Sequence, residues 1–120
     1  MTIPDDNAKM EATLHRIMSQ QIKVPNALQL SPGQKKLIRA KGKEVALFNI
    51  KGTFYAISNS CPHSTGPLVE GKVHQTVVTC PWHGAQFDVT TGQCLGGPAT
   101  TNVTTYRVYI ENNSIIIEIP

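Results

Sequence analysis

The sequence predicts an all-β fold, a small β-barrel or sandwich with two loops at one tip, preceded by a short N-terminal helix. Three observations predict it. After Pro25 the chain breaks into short runs rich in Val, Ile, Phe and Tyr, turn residues separate those runs, and a helical apolar stripe is confined to the first twenty-one residues. The 120 residues suffice for one domain with a modest core.

Taken in order, Asp5, Asp6 and Asn7 are capping residues for a helix on which Met10, Leu14, Ile17 and Met18 recur at i, i+4, i+7 and i+8. Residues 1–21 are therefore read as a helical extension that packs on the domain of residues 22–120. Within that domain Lys43–Ile50 and Thr53–Ile57 flank Lys51-Gly52, and Tyr106–Ile110 and Ser114–Ile119 flank Asn112-Asn113. Both pairs read as β-hairpins. Lys35, Lys36, Arg39, Lys41 and Lys43 crowd into nine residues, which reads as a solvated strand pair rather than a patch for an acidic partner. No aromatic residue interleaves with that run, and the net charge is only +3, so nucleic acid is not the expected partner. The N-terminus has no apolar signal-peptide region and the chain no run of eighteen apolar residues, so no membrane role is expected.

The chemistry lies in two short segments, Cys61-Pro62-His63 and Cys80-Pro81-Trp82-His83, separated by sixteen residues. Each mixes one sulfur donor with one nitrogen donor. Thiolate suits iron bridged by sulfide, and neutral imidazole lessens the negative charge on the iron it ligates. A structural zinc site remains the alternative, although zinc modules more often pair Cys with Cys and His with His in separate knuckles. Pro62 and Pro81 stiffen the segments, and Gly66 and Gly84 permit close backbone approach to a bound group. Cys94, His15 and His74 have no partner pattern around them; Cys94 reads as a small, partly buried apolar residue. Two of three cysteines committed to metal point to a reducing compartment, the cytoplasm.

Cys61-Pro62-His63-Ser64-Thr65-Gly66-Pro67-Leu68 and Cys80-Pro81-Trp82-His83-Gly84-Ala85-Gln86-Phe87-Asp88, with Thr91-Gly92 and Gly97-Pro98-Ala99 beyond, resemble the Rieske [2Fe–2S] domain in its soluble ferredoxin form. The likeness runs upstream through Gly42–Phe48 and Phe54–Ile57. It departs at Thr65, where ferredoxin-type members commonly have glycine. The resemblance implies one [2Fe–2S] cluster, with Cys61 and Cys80 on the inner iron and His63 and His83 on the outer iron near solvent.

The resemblance also implies a role. Rieske proteins of the respiratory and photosynthetic cytochrome complexes carry a Ser hydroxyl, a Tyr hydroxyl and a loop-to-loop disulfide near the cluster, and Ala85, Phe87 and the pair Gly66/Trp82 stand at the matching positions here. Fewer hydrogen bonds to sulfur place the potential towards the low end of the Rieske range of about −150 to +300 mV. The implied function is a one-electron carrier from a flavin-dependent, nicotinamide-linked reductase to a terminal oxygenase, binding no organic substrate itself. The chain lacks the histidines and the length for the mononuclear iron domain of an oxygenase, so it is not expected to be an enzyme. The small subunit of an assimilatory nitrite reductase and a zinc-stabilised binding module are the other readings.

Overall fold

The computed structural model describes residues 20–25, 29–62 and 64–119. The predicted helix with Met10, Leu14, Ile17 and Met18 lies outside the described residues, as does His63. Ten strands are present among the described residues: β1 (Gln20–Val24), β2 (Lys35–Ala40), β3 (Lys43–Ile50), β4 (Thr53–Ser58), β5 (Lys72–His74), β6 (Val77–Thr79), β7 (Gln86–Asp88), β8 (Cys94–Gly96), β9 (Thr105–Glu111) and β10 (Ser114–Ile119). They form a six-stranded sheet in the order β1-β10-β9-β4-β3-β2 and a four-stranded sheet in the order β5-β6-β7-β8. Every pairing is antiparallel. The all-β class is as expected. No helix among the described residues is long and apolar enough to cross a membrane.

Both predicted hairpins form, and their turns show why. Lys51 and Gly52 have φ of +54° and +93°, and Asn112 and Asn113 have φ of +51° and +64°. Two successive positive-φ residues match the right-handed twist of flanking strands, and short polar or glycine residues tolerate that conformation best. Lys41-Gly42 forms a third such turn, at +56° and +74°, between β2 and β3. The basic run is thus a strand pair, with Arg39 Nε donating to Glu44 Oε2 at 3.0 Å and the Lys35 ammonium donating to the Gly71 carbonyl. One boundary is corrected. Gln20 and Gln21, assigned above to the extension, pair with Ile119 and Glu118 as the first residues of β1, because their backbone completes the outer edge of β10.

Two cores share one wall. Val45 and Leu47 of β3 face a cluster with Val24, Ile38, Ala56, Ile115, Ile117 and Ile119. Ala46 and Phe48, on the opposite face of the same strand, join Ile57, Leu68, Val78, Phe87 and Val89. The period of two along a strand explains how a continuous Val-Ala-Leu-Phe run serves both sides. The second cluster also contains Cys61 and Cys80. The wall formed by β3 and β4 therefore supports the tip, where one loop leaves the end of β4 and the other joins β6 to β7.

Candidate metal centre

Each loop is built from the same backbone bonds. In the first, the Cys61 amide donates to the Gly66 carbonyl at 3.0 Å and the Thr65 amide donates to the Cys61 carbonyl at 2.8 Å. In the second, the Cys80 amide donates to the Ala85 carbonyl at 2.7 Å and the Gly84 amide to the Cys80 carbonyl at 3.1 Å. The residue four after each cysteine takes a left-handed conformation, with φ of +59° at Thr65 and +81° at Gly84. Ser60 bridges Pro67 beneath the first loop, and Thr79 pairs with Gln86 beneath the second. Two copies of one loop thus present their cysteines from the same position.

They bring the two thiols together. Cys61 and Cys80 are both buried, in the same core cluster. Burial pushes the Cys80 thiol up, but the Trp82 amide, the Ser64 hydroxyl, the Cys61 thiol and the His83 amide all favour its anion and together hold it below the usual thiol value. Gly66 lets the loops close. A Cβ built there would lie 2.8 Å from Cys80 Sγ and 3.1 Å from two ring atoms of Trp82.

His83 is on the exposed arm of the second loop, together with Pro81, Trp82 and Gly84. Among the described residues no group of three or more His, Cys, Asp or Glu side chains gathers as a metal site. Cys94 therefore does not join the pair. It is half-buried, and its thiol donates to the Ala99 carbonyl at 3.0 Å. A buried pair of sulfurs below exposed loop arms, with Cys80 held towards its anion, is a donor set that fits thiolate ligation of an iron–sulfur group.

Ala85 and Phe87 are fully buried and bring no hydroxyl to the sulfurs. Ser64 does, and the sequence reading missed it. Its Oγ lies 3.6 Å from Cys80 Sγ, reaching from the first loop to the cysteine of the second. Ser64 is the residue after His63, and no spacing rule singles it out.

The Rieske [2Fe-2S] domain family matches residues 20–107. The chain belongs to this family. It is 38% identical over 82 residues to the ferredoxin component of the naphthalene 1,2-dioxygenase system of Pseudomonas putida, a match covering 68% of this chain and 79% of the relative. The fold is similar to that of the ferredoxin of carbazole 1,9a-dioxygenase from Nocardioides aromaticivorans IC177, with a TM-score of 0.77 and 31% identity over 82% of this chain and 96% of the other. A chain in the complex of reduced oxygenase and oxidized ferredoxin of carbazole 1,9a-dioxygenase is similar at a TM-score of 0.77 and 28% identity, covering 81% and 91% of the two chains. Membership of the Rieske family brings one [2Fe–2S] cluster as the resident cofactor.

Proposed function

We propose that this chain is the ferredoxin component of a multicomponent oxygenase system, carrying single electrons from a flavin-dependent, nicotinamide-linked reductase to a terminal oxygenase. The observation that carries this reading is the pair of matched loops, which bury Cys61 and Cys80 side by side and leave the His83 arm at the surface. In this reading Cys61 and Cys80 hold the inner iron and His63 and His83 the outer one. The relatives described above are ferredoxin components of dioxygenase systems, and one is seen with its oxygenase. The cluster supplies one-electron reduction and oxidation when bound. The chain's own residues do the rest: β3 and β4 pack beneath the loop cysteines, the Trp82 and His83 amides favour the Cys80 thiolate, and the exposed second-loop arm offers a short path to a docked partner.

The same reading makes the residues ahead of β1 an extension to the carrier domain and assigns the protein to the reducing cytoplasm, in keeping with cysteines that form no disulfide. The loaded protein, kept anaerobic with NADH and a flavin-dependent ferredoxin reductase, should bleach as it is reduced. It should recover its colour when an oxidised Rieske terminal oxygenase is added. An electron count other than one, or a reduced protein that passes nothing to such an oxygenase, would overturn the assignment. The average g of the reduced protein's EPR signal tests the ligand set separately, because two nitrogen ligands lower it below that of a cluster held by four sulfurs.

A further inference from the structure

Two hydroxyl donors common near the cluster in high-potential relatives have no counterpart at Ala85 and Phe87. A hydroxyl nevertheless reaches a ligand sulfur by another route. Ser64 Oγ lies 3.6 Å from Cys80 Sγ, within hydrogen-bonding range for sulfur. The Gly66 amide donates to the same Oγ at 3.3 Å, so one of its lone pairs is engaged and its hydrogen is left for the sulfur. A ligating thiolate has no proton of its own, so the Ser64 hydroxyl is the donor of this bond in the loaded protein.

The loop holds Ser64 in that position. Thr65 takes the left-handed φ of +59°, its amide donates to the Cys61 carbonyl, and its hydroxyl donates to the Ser64 carbonyl at 2.6 Å. Gly66 brings the first loop against Cys80 Sγ and Trp82. The bond therefore crosses between the two loops.

We propose that Ser64 is a potential-setting residue: its hydroxyl, donating across the loops to the Cys80 thiolate, raises the reduction potential of the site. This rests on the assignment of Cys80 as a ligand. Reduction adds one electron and no proton to the site, while Ser64 keeps its hydrogen. A donor dipole aimed at the sulfur favours the more negative, reduced state over the oxidised one. Only the difference between the two states registers, so removing the donor should shift the redox equilibrium by about three- to tenfold, tenfold being 59 mV for one electron.

Protein-film voltammetry of the loaded wild type, Ser64→Ala and Ser64→Thr tests this. The expected result is a potential lowered by that factor in Ser64→Ala and restored in Ser64→Thr, with iron and sulfide content unchanged. An unchanged potential in Ser64→Ala, or a Ser64→Thr potential as low as that of Ser64→Ala, would overturn the proposal. Should Ser64→Ala fail to load, Ser64→Thr and Ser64→Val make the comparison at equal shape; equal potentials there reject it, and a lower potential in Ser64→Val supports it. Cluster loading in Cys80→Ser, read by iron and sulfide analysis, distinguishes failure of the Cys80 ligand assignment, which full loading would show, from failure of the Ser64 role.

Discussion

The two loops of the tip share a backbone and differ in what supports it. The second loop grows from regular sheet, where Val77, Val78 and Thr79 pair with Asp88, Phe87 and Gln86. The first stands on a single bridge between Ser60 and Pro67 and one backbone bond below it, from the Leu68 amide to the Asn59 carbonyl at 2.8 Å, and side chains add to these. Asn59 is the main one: its amide nitrogen donates to Glu44 Oε1 at 3.2 Å, and its side-chain oxygen accepts from the Val69 amide at 2.8 Å. The left-handed residue is glycine in the second loop and a β-branched threonine in the first. A turn repeated in one fold can thus be stabilised by the sheet in one place and by named side chains in the other. The side-chain version is the one that single substitutions should disturb more.

The largest effect should come from the element the loops share. Cys61→Ser and Cys80→Ser should each abolish cluster loading, since either change leaves the buried sulfur pair with one member. Cys94→Ser should load fully, because its thiol donates only to main-chain carbonyls. Iron and sulfide analysis with visible absorption checks all three. Loss of colour in Cys94→Ser with colour kept in Cys80→Ser would break the symmetry drawn between the loops.

The next residue to compare is the one five after each cysteine. Gly66→Ala should destabilise the fold by about 1–3 kcal/mol, because the added methyl meets Cys80 Sγ at 2.8 Å and Trp82 at 3.1 Å. Ala85→Gly in the second loop should cost about 1 kcal/mol, the loss of one fully buried methyl plus added chain freedom. Urea unfolding followed by far-ultraviolet circular dichroism gives both values. Equal costs would show that the loops are not packed as unequally as the contacts imply.

How far these differences were legible in the sequence depends on how local their causes are. The turns at Lys51-Gly52 and Asn112-Asn113 were readable because two adjacent residues determine a hairpin whatever lies around them. The strands of the small sheet were not: β5, β6, β7 and β8 are three residues each, too short to show an alternation. β2 was legible only as half of a solvated pair, its lysines masking Leu37 and Ile38. The two cysteines that the loops bring together were legible from spacing, since mixed Cys/His segments are rare outside one kind of centre. Ser64 did not, because its partner lies sixteen positions away on the other loop and only the folded loops bring them together. The equivalence of Thr65 and Gly84 was likewise hidden, since it is a likeness of hydrogen bonds and φ rather than of residues.

That equivalence predicts a pair of smaller, opposite effects. Thr65→Gly removes a left-handed β-branched residue, a conformation that costs about 1–2 kcal/mol, but it also loses the hydroxyl bond to Ser64 and frees the unfolded chain. The net result should be a stabilisation of about 0.5 kcal/mol. Gly84→Ala meets nothing within 4 Å, so its cost is conformational alone and should be about 1 kcal/mol of destabilisation. Opposite shifts of the urea midpoint confirm that the two positions carry the same constraint. Shifts of the same sign would mean that the loops only look alike.

The smallest effect separates the loop bases by pH. The Asn59 amide, and after it the Arg39 guanidinium, hold the Glu44 carboxyl below its ordinary value of 4.5, against a slight opposing contribution from burial. An acid with a depressed folded value leaves the unfolded chain binding more protons as pH falls past 4.5, so stability from this contact is complete above that point and declines as pH drops through the folded value. The carboxylate is exposed, so the change should be small. Glu44→Gln keeps an acceptor for Asn59 while removing the charge, and its urea midpoint should lack this component of the acid slope. Because loss of the cluster in acid affects wild type and variant alike, the difference between their midpoints isolates the contact beneath the first loop. Parallel midpoint curves from pH 7 to pH 3 would show that the Asn59–Glu44 link does not support that loop, and the bridge at Ser60 and Pro67 would then have to hold it without this charged contact.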